Sequence, residues 1–572
     1  MKDQHNDRPN VVLIITDDQG YGDLSCHGNP SLKTHAMDRI HDESIRFTDF
    51  HVSAVCTPTR SQILTGCDAA RNGAFSWAYG RETIRLDFPT MAEIFGANDY
   101  RTGHFGKWHL GDNYPFRPQD RGFEETIHHR GASIVQSPDF WNNDYFDDYF
   151  WHGDTLEQFP GYCTDVWFDE AMKWIGNKAD EERPFFLYLP TNCPHGPLYV
   201  PDHYRTPYRH LGHNLASFFG MITNIDENLA RFDAFLECAG LKENTIFIFM
   251  TDNGGTVGVD HFNSGMRGRK GEPYEGGHRV PCFIRWPSGD LKPPGDIDEP
   301  AQSQDLLPTL VDLCNLADVE THRWDGISLV PLLRGEAKEG PDRIMVMQMA
   351  TRPPTLEYLK NSCIMWKKWR LVSGSELYDV GKDPGQLNDL RAKHPEVVKR
   401  LQSWYGRWWD GIQETLQHTP RFPVGRGRYV SDQRLCMFDW DDYDGTGNCT
   451  QQSTVRAGAK INGPWQLDVI DDGVYEIELR RWPFEANAKI TKGVPEYSAV
   501  DDTYAEGIAL PIKSGAIEIG EVRREKSISA EDYSLVFDVT LESGPATLLT
   551  SFRDSAGNEL CGAYYTYVRF KK

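Results

Sequence analysis

The sequence predicts an α/β protein that carries a separate β-rich unit at its C-terminal end. Two continuous apolar, β-branched runs, Asn10-Val11-Val12-Leu13-Ile14-Ile15-Thr16 and Thr245-Ile246-Phe247-Ile248-Phe249-Met250, have the pattern of strands buried on both faces of a parallel sheet. Up to about residue 320, apolar strands of this kind alternate with helical patterns, the order expected of an α/β sheet covered by helices. Beyond residue 428 the pattern changes to alternating strands, as at 474–479 and 534–539, with Gly-rich turns and no helical period. That pattern reads as an all-β, sandwich-like unit.

At 572 residues the chain is too long for one ordinary core, so two or three structural units are expected. We place an α/β unit over 1–335, a small antiparallel sheet with a helix over 336–418, and the β-rich unit over 428–572. In the middle unit the strands fall at 344–347, 363–371 and 376–380, and the helix runs over 394–409. Thr419-Pro420-Arg421-Phe422-Pro423-Val424-Gly425-Arg426-Gly427 reads as a linker. No internal repeat or low-complexity tract interrupts this order.

A hydrophobic content of 39% with 25% charged residues is that of a globular chain. The net charge of −24 disfavours nucleic acid and anionic membrane surfaces as partners. The 12 Cys show no compact spacing, so no disulfide framework is read from them. No run approaches the ~18 apolar residues of a membrane span. Met1-Lys2-Asp3-Gln4-His5-Asn6-Asp7 is polar and unlike a signal peptide, so the chain as printed is expected in the cytoplasm, or in the periplasm or medium if a leader has been removed.

The most informative segment is Cys56-Thr57-Pro58-Thr59-Arg60-Ser61-Gln62-Ile63-Leu64-Thr65-Gly66. It reads as a loop entering a helix, with Pro58 in the first turn where its missing N–H costs nothing. A residue at that entry faces unpaired N–H groups and the positive end of the helix dipole, which favour an anion. A plain thiolate there is expected to have a lowered pKa. The two long apolar strands end in Asp17-Asp18-Gln19-Gly20 and Thr251-Asp252-Asn253-Gly254-Gly255. Open α/β sheets place their sites beyond the carboxyl ends of strands, so the two acidic segments can meet there. Successive strand residues point to opposite faces, so Asp17 and Asp18 share a ligand only if the chain turns, which Gly20 permits. Three carboxylates and an amide suit a hard cation held by oxygens, Ca²⁺ or Mg²⁺.

The run from Cys56 to Gly66 resembles the nucleophile signature of type I sulfatases. The resemblance continues in register through Phe105-Gly106-Lys107-Trp108-His109-Leu110-Gly111, Thr191-Asn192-Cys193-Pro194-His195-Gly196-Pro197 and Met266-Arg267-Gly268-Arg269-Lys270-Gly271. It extends to Glu376-Leu377-Tyr378-Asp379 with Asp383-Pro384-Gly385. It implies an alkaline-phosphatase-like core, with a large mixed, mostly parallel sheet between helices and a small C-terminal α+β subdomain. It further implies that Cys56 is oxidised to formylglycine, whose hydrate attacks the sulfur of a sulfate ester, so a formylglycine-generating or anaerobic sulfatase-maturating enzyme is a partner. Ca²⁺ would be bound by Asp17, Asp18, Asp252, Asn253 and residue 56. Arg60 would orient the modified residue, and Lys107 would stabilise the hydrate and the sulfate charge. His109 would take the proton in the elimination step, and His195 with Lys270 would serve the departing alcohol. The family resemblance makes a sulfated carbohydrate the expected substrate, with an arylsulfatase or a phosphonate or phosphodiester hydrolase as the alternative.

One stretch departs from the family pattern: after Arg121-Gly122-Phe123-Glu124 comes His128-His129-Arg130-Gly131, in place of a commonly glycine- or serine-bearing segment. His128, His129 and Arg130, together with Arg267, are candidate substrate contacts. Trp141 and Trp151, in an aromatic and acidic segment over 138–151, either wall a sugar cleft or pack a loop.

Overall fold

The computed structural model describes residues 8–177, 183–317, 319, 323–350, 354–445 and 448–572. The polar segment 1–7, read above for a leader, lies outside them. Five strands form the centre: β1 (Asn10–Thr16), β2 (Arg101–Lys107), β3 (Glu125–His129), β4 (Phe185–Pro190) and β5 (Thr245–Thr251). They lie in the order β5-β1-β4-β2-β3 and are parallel to one another. Cys282–Arg285 joins β5 and Tyr149–His152 joins β3, both antiparallel, and further strands beyond each complete a ten-stranded mixed sheet.

The apolar run of β1 is divided between two cores, as the alternation of a strand requires. Val11, Leu13 and Ile15 belong to one core and Val12 and Ile14 to the other. On the first face lies a helix at Cys56–Thr65 (α1), all of whose residues are buried. On the second face lies the helix His213–Cys238, which contributes Phe218, Ile222, Ile225 and Leu229. Continuous apolar strands are therefore required here, because neither face of the central sheet is wet.

Downstream, Met345–Gln348, Ser362–Trp366, Trp369–Val372 and Glu376–Asp379 form a four-stranded antiparallel sheet against the helix Pro395–Gln417. The single strand expected over 363–371 is a hairpin, turned at Lys367 with φ +51. The helix runs a further two turns beyond residue 409, where Ile412 continues its buried stripe. The expected linker contains a strand, Phe422–Val424, paired parallel to Trp465–Val469. Pro423 is accommodated because this strand lies at the edge of its sheet.

The C-terminal region forms a six-stranded and a four-stranded sheet that share one core. That core also takes in Ala78, Tyr79, Phe116, Ala132 and Trp141 from the α/β region, so the β-rich region is packed onto the α/β region through a common apolar interior. All 12 cysteines are free. Among the described residues, no helix is long and apolar enough to cross a membrane.

His104 on β2 is fully buried, with its ring against Trp108, Phe123, His128 and Tyr188. Burial pulls its pKa down to about 3. Its folded value lies below the unfolded value of about 6.5. Its contribution to stability is therefore complete above pH 6.5 and is lost as the pH falls toward 3. Between pH 7 and pH 4 this one residue should remove about 3 kcal/mol of stability. His104→Phe should flatten the pH dependence of the urea midpoint over that window, and an unchanged slope would show that His104 is not buried as a neutral ring.

Candidate active site

The site begins with the pairing of β1 and β5. These strands are parallel neighbours in the register Thr16↔Thr251, so Asp17 and Asp252 leave the sheet side by side. Asp252 N donates to Thr16 O at 3.0 Å, and Asp17 N donates to Cys193 O at 3.1 Å. Asp18 is left-handed at φ +67, which breaks the alternation and lets both carboxylates serve one centre. The turn assigned to Gly20 thus occurs at Asp18. Gly20 is needed instead for close approach, because a Cβ there would lie 2.7 Å from Gly255 N. Ligand atoms of Asp17, Asp18, Cys56 and Asp252 lie within 4.8 Å of one another. Asn253 Nδ2 donates to Asp18 Oδ1 at 2.9 Å, and Asn253 Oδ1 is buried without a hydrogen-bond partner.

Cys56 is the first residue of α1, after the extended Val55. Its Sγ donates to Asp17 Oδ1 at 3.2 Å, and Lys270 Nζ lies 3.4 Å from the sulfur. Arg60, one turn along α1, reaches the same centre. Its Nη2 and Nε donate to Asp252 Oδ2 at 2.8 and 3.1 Å, and its Nη1 donates to Lys107 O at 3.1 Å. Lys107 Nζ donates to Asp17 Oδ2. Lys270 Nζ stands 2.5 Å from Asp18 Oδ1.

These pairings set the charge states. Burial raises Asp17, but Lys107, His195 and Arg60 outweigh it and hold the carboxyl well below its ordinary range. Asp252 is pushed up to about 6, by burial and then by Asp17 beside it. Burial, Asp17 and Asp252 together push the Cys56 thiol far up, the opposite of the lowered pKa expected at a helix start. Burial and the carboxylates outweigh the helix dipole here, so an unmodified Cys56 is a protonated thiol and a poor nucleophile.

His109 also adopts a left-handed backbone, φ +58. Its Nε2 lies 2.8 Å from Trp77 O, which fixes the proton on Nε2. Nδ1 is then an unprotonated base, buried and without a partner. Burial, reinforced by Lys107, holds His109 neutral well below its ordinary pKa. His195 lies at the mouth of the site: its Nδ1 donates to Gly196 O at 2.6 Å, and its Nε2 is 3.8 Å from Asp18 Oδ2. Its pKa is lowered by burial and then by Lys270. Burial disfavours the Lys270 ammonium, but Asp18 outweighs it and raises Lys270 well above its usual value. The side chains of His195 and Lys270 are 22% and 20% exposed, whereas Asp17, Arg60 and Lys107 are 0% exposed, so the cluster opens to solvent past His195 and Lys270.

The candidate substrate contacts separate. His129 is paired in register with Lys107 and faces the same side, with its Nε2 buried and unpartnered. His128 turns the opposite way, its ring 6.0 Å from that of His104. Arg130 stacks 4.2 Å from the Trp151 ring. Trp141 is 7% exposed and lies between Trp482 and Arg456 of the β-rich region, which leaves no ring face for a sugar. Arg267 stacks on Tyr274 and bonds Tyr378 Oη at 3.0 Å and Gln386 O at 3.2 Å, joining the small sheet to the core. Two contributors were missed by sequence reasoning. Trp77 acts through a backbone carbonyl, and Phe438, 6.3 Å from the His109 ring, comes from the distant β-rich region. Neither carries a local sequence signal.

The Sulfatase family model matches residues 9–316. The chain belongs to the sulfatase family. It is a sulfatase, a hydrolase of sulfate esters. Arylsulfatase A of Bos taurus is 32% identical over 426 residues, covering 68% of this chain and 80% of that protein. N-acetylgalactosamine-6-sulfatase of Rattus norvegicus is 28% identical over 449 residues, covering 69% of this chain and 83% of that protein. The crystal structure of Ps i-CgsB in complex with k-i-k-neocarrahexaose shares the fold with a TM-score of 0.65 at 23% identity, covering 72% of this chain and 95% of that one. A phosphonate monoester hydrolase from Silicibacter pomeroyi shares it with a TM-score of 0.52 at 18% identity, covering 72% and 96%.

Arg60 carries a buried charge whose partner is Asp252. Arg60→Ala should lower the unfolding free energy of the sulfatase by about 3–5 kcal/mol, because it leaves Asp252 buried without its guanidinium. A loss below about 1 kcal/mol in urea unfolding, the scale of an exposed pair, would contradict the pairing.

Proposed function

We propose that this sulfatase releases inorganic sulfate from a sulfated saccharide, with a nucleophile derived from Cys56. The observation that carries the reading is the position of Cys56 Sγ at the start of α1, between Asp17 Oδ1 and Lys270 Nζ and among three buried carboxylates. A thiol held protonated by burial and by those carboxylates is a poor nucleophile, which favours a modified residue. Formylglycine at this position would supply a hydrate with one hydroxyl to attack sulfur and a second whose deprotonation expels sulfate. Asp17, Asp18, Asp252 and Asn253 supply oxygen donors that fit a hard divalent cation, Ca²⁺ by preference and Mg²⁺ by the same chemistry. Such an ion would polarise the sulfate and offset its charge.

The remaining roles follow from the protonation states. Lys107 and Arg60 hold Asp17 and Asp252 in place, and Lys107 adds positive charge where sulfate would bind. His109 keeps a free Nδ1 lone pair because Trp77 O accepts a hydrogen bond from its Nε2–H, so Nδ1 accepts the proton in the elimination step. At the mouth, the raised pKa of Lys270 keeps it protonated, and His195 offers Nε2 beside it. We assign the proton of the departing alcohol oxygen to Lys270, with the unprotonated Nε2 of His195 beside it as the relay. The saccharide rests on likeness, to a relative named as an N-acetylgalactosamine-6-sulfatase and to a fold crystallised with a neocarrahexaose. The likeness to arylsulfatase A favours an aryl sulfate as the second reading. A maturating enzyme that converts Cys56 is the required partner.

Cys56→Ala should abolish sulfate release and leave the melting temperature near that of the wild type, whereas substantial residual turnover would remove Cys56 as the nucleophile. His195→Ala should slow release from a sulfated sugar by about 10²–10⁴-fold and from p-nitrophenyl sulfate by far less, since nitrophenolate leaves without a proton. Equal losses on both substrates would remove His195 from leaving-group protonation.

A further inference from the structure

A cavity of about 300 Å³ lies between the α/β region and the β-rich region, apart from Cys56. Arg130 and Trp151 line it from one side, and Arg434, Asp439, Glu485 and Tyr565 line it from the other. Its volume is that of a small-ligand site. Three of its lining segments continue directly from the active site. Arg130 follows His129, Asp112 lies three residues beyond His109, and Asp439 follows Phe438, whose ring packs near that of His109.

Two polar groups in this cavity lack a partner. The Arg130 guanidinium stacks on Trp151 but makes no hydrogen bond or ion pair among the described residues. Burial disfavours its charge, and Asp112 only partly offsets that cost. Tyr565 is 5% exposed, and its Oη is buried with no hydrogen-bond partner. The buried phenol left unpaired carries a desolvation cost that a bound ligand would relieve, and the half-buried guanidinium beside it is open to the same ligand. The acids are differently placed. Asp439 accepts from Cys436 N at 2.7 Å and from Asn113 Nδ2 at 3.2 Å, Asp112 accepts from Gly131 N at 2.9 Å, and Glu485 accepts from Trp141 N at 3.3 Å. Burial pushes Asp112 up to about 6 and Asp439 up to about 7, so neither fully neutralises Arg130. The rim is open, with the Arg434 side chain 53% exposed and Phe484 63% exposed.

We propose that this interdomain cavity binds a second sugar unit of the sulfated saccharide, with an anionic substituent, sulfate or carboxylate, held by Arg130 and Arg434. The inference rests on the saccharide reading above. Aromatic faces, hydrogen-bonding edges and an unpaired guanidinium together match a pyranose bearing one charged group, since a guanidinium fork bonds such oxyanions bidentately. The β-rich region thereby contributes to substrate choice as well as covering a flank of the core.

Binding is measured by calorimetry on the full chain carrying Cys56→Ala, so that nothing is turned over. The probes are sulfated tetrasaccharides from chondroitin, heparan and carrageenan, each compared with its terminal sulfated monosaccharide. For at least one series the tetrasaccharide should bind more tightly than its monosaccharide by about tenfold or more. Arg130→Met should collapse that ratio toward one. Arg434→Ala, at the exposed rim where folding is not at risk, should reduce it in the same direction. A ratio near one for every series, or a ratio that neither variant changes, overturns the cavity as a sugar subsite. Sulfate release by the matured enzyme, assayed separately on the same sugars, distinguishes failure of the cavity from failure of the saccharide reading. Release without a tetrasaccharide preference refutes the cavity alone. Absence of release from every sugar, with activity retained on an aryl sulfate, refutes the saccharide reading and the cavity proposal with it.

Discussion

Two carboxylates leaving neighbouring parallel strands side by side is the constraint on which the rest of the site depends. The register of β1 and β5 sets Asp17 beside Asp252, and the left-handed Asp18 adds a third acid to the same small volume. Like charges so placed cannot be buried without compensation. Arg60 from α1, Lys107 from the end of β2 and Lys270 from a distant loop supply it, each paired to a different acid. Burial, helped by Lys107, keeps His109 neutral, and burial with Asp17 and Asp252 keeps Cys56 protonated against the pull of Lys107 and Lys270. One electrostatic balance therefore sets how the active site is held together and which of its groups can carry protons. A divalent cation among the same oxygens would relieve that balance further, which is why the donor set suits one.

Much of this arrangement was legible in the sequence, and the reasons differ by element. The central strands were readable because burial on both faces leaves no polar residue to break the apolar run. The family could be read from Cys56 to Gly66 and from the Lys107–His109 segment, because short motifs preserve residue type and spacing together. The adjacency of β1 and β5 was not readable, since strand pairing across more than two hundred residues leaves no local mark. For the same reason the thiol's pKa was misjudged: the helix start is visible in the chain, whereas the burial that raises it most and the carboxylates that add to it come from tertiary packing with other segments. The turn at Asp18 was placed at Gly20, because glycine is the usual carrier of a left-handed backbone and here serves close approach instead.

The aromatic and basic residues over 128–151 divide according to which strand face or domain they meet. His129 and His128 are adjacent in β3 and so point to opposite sides, one toward Lys107 and the other toward His104. Trp141 is part of the core shared with the β-rich region, while Trp151 stays under Arg130 at a cavity wall. A sequence that interleaves aromatics with acids can describe a packed interface and a ligand wall within a dozen residues. The distinction appears only when the β-rich region is in place. The β-rich region also comes near the candidate site, with the Phe438 ring 6.3 Å from that of His109 and Asp502 accepting from Tyr199 Oη at 2.7 Å, four residues beyond His195.

The central claim is that residue 56 acts as an aldehyde and not as a thiol. It is tested most directly by peptide mass spectrometry across position 56, on preparations made with and without a formylglycine-generating enzyme, with sulfate release measured on each. The account predicts that the rate of sulfate release rises in proportion to the fraction of residue 56 found as the aldehyde and vanishes where that fraction is zero. Sulfate release at full rate from protein whose Cys56 is entirely an unmodified thiol would contradict it.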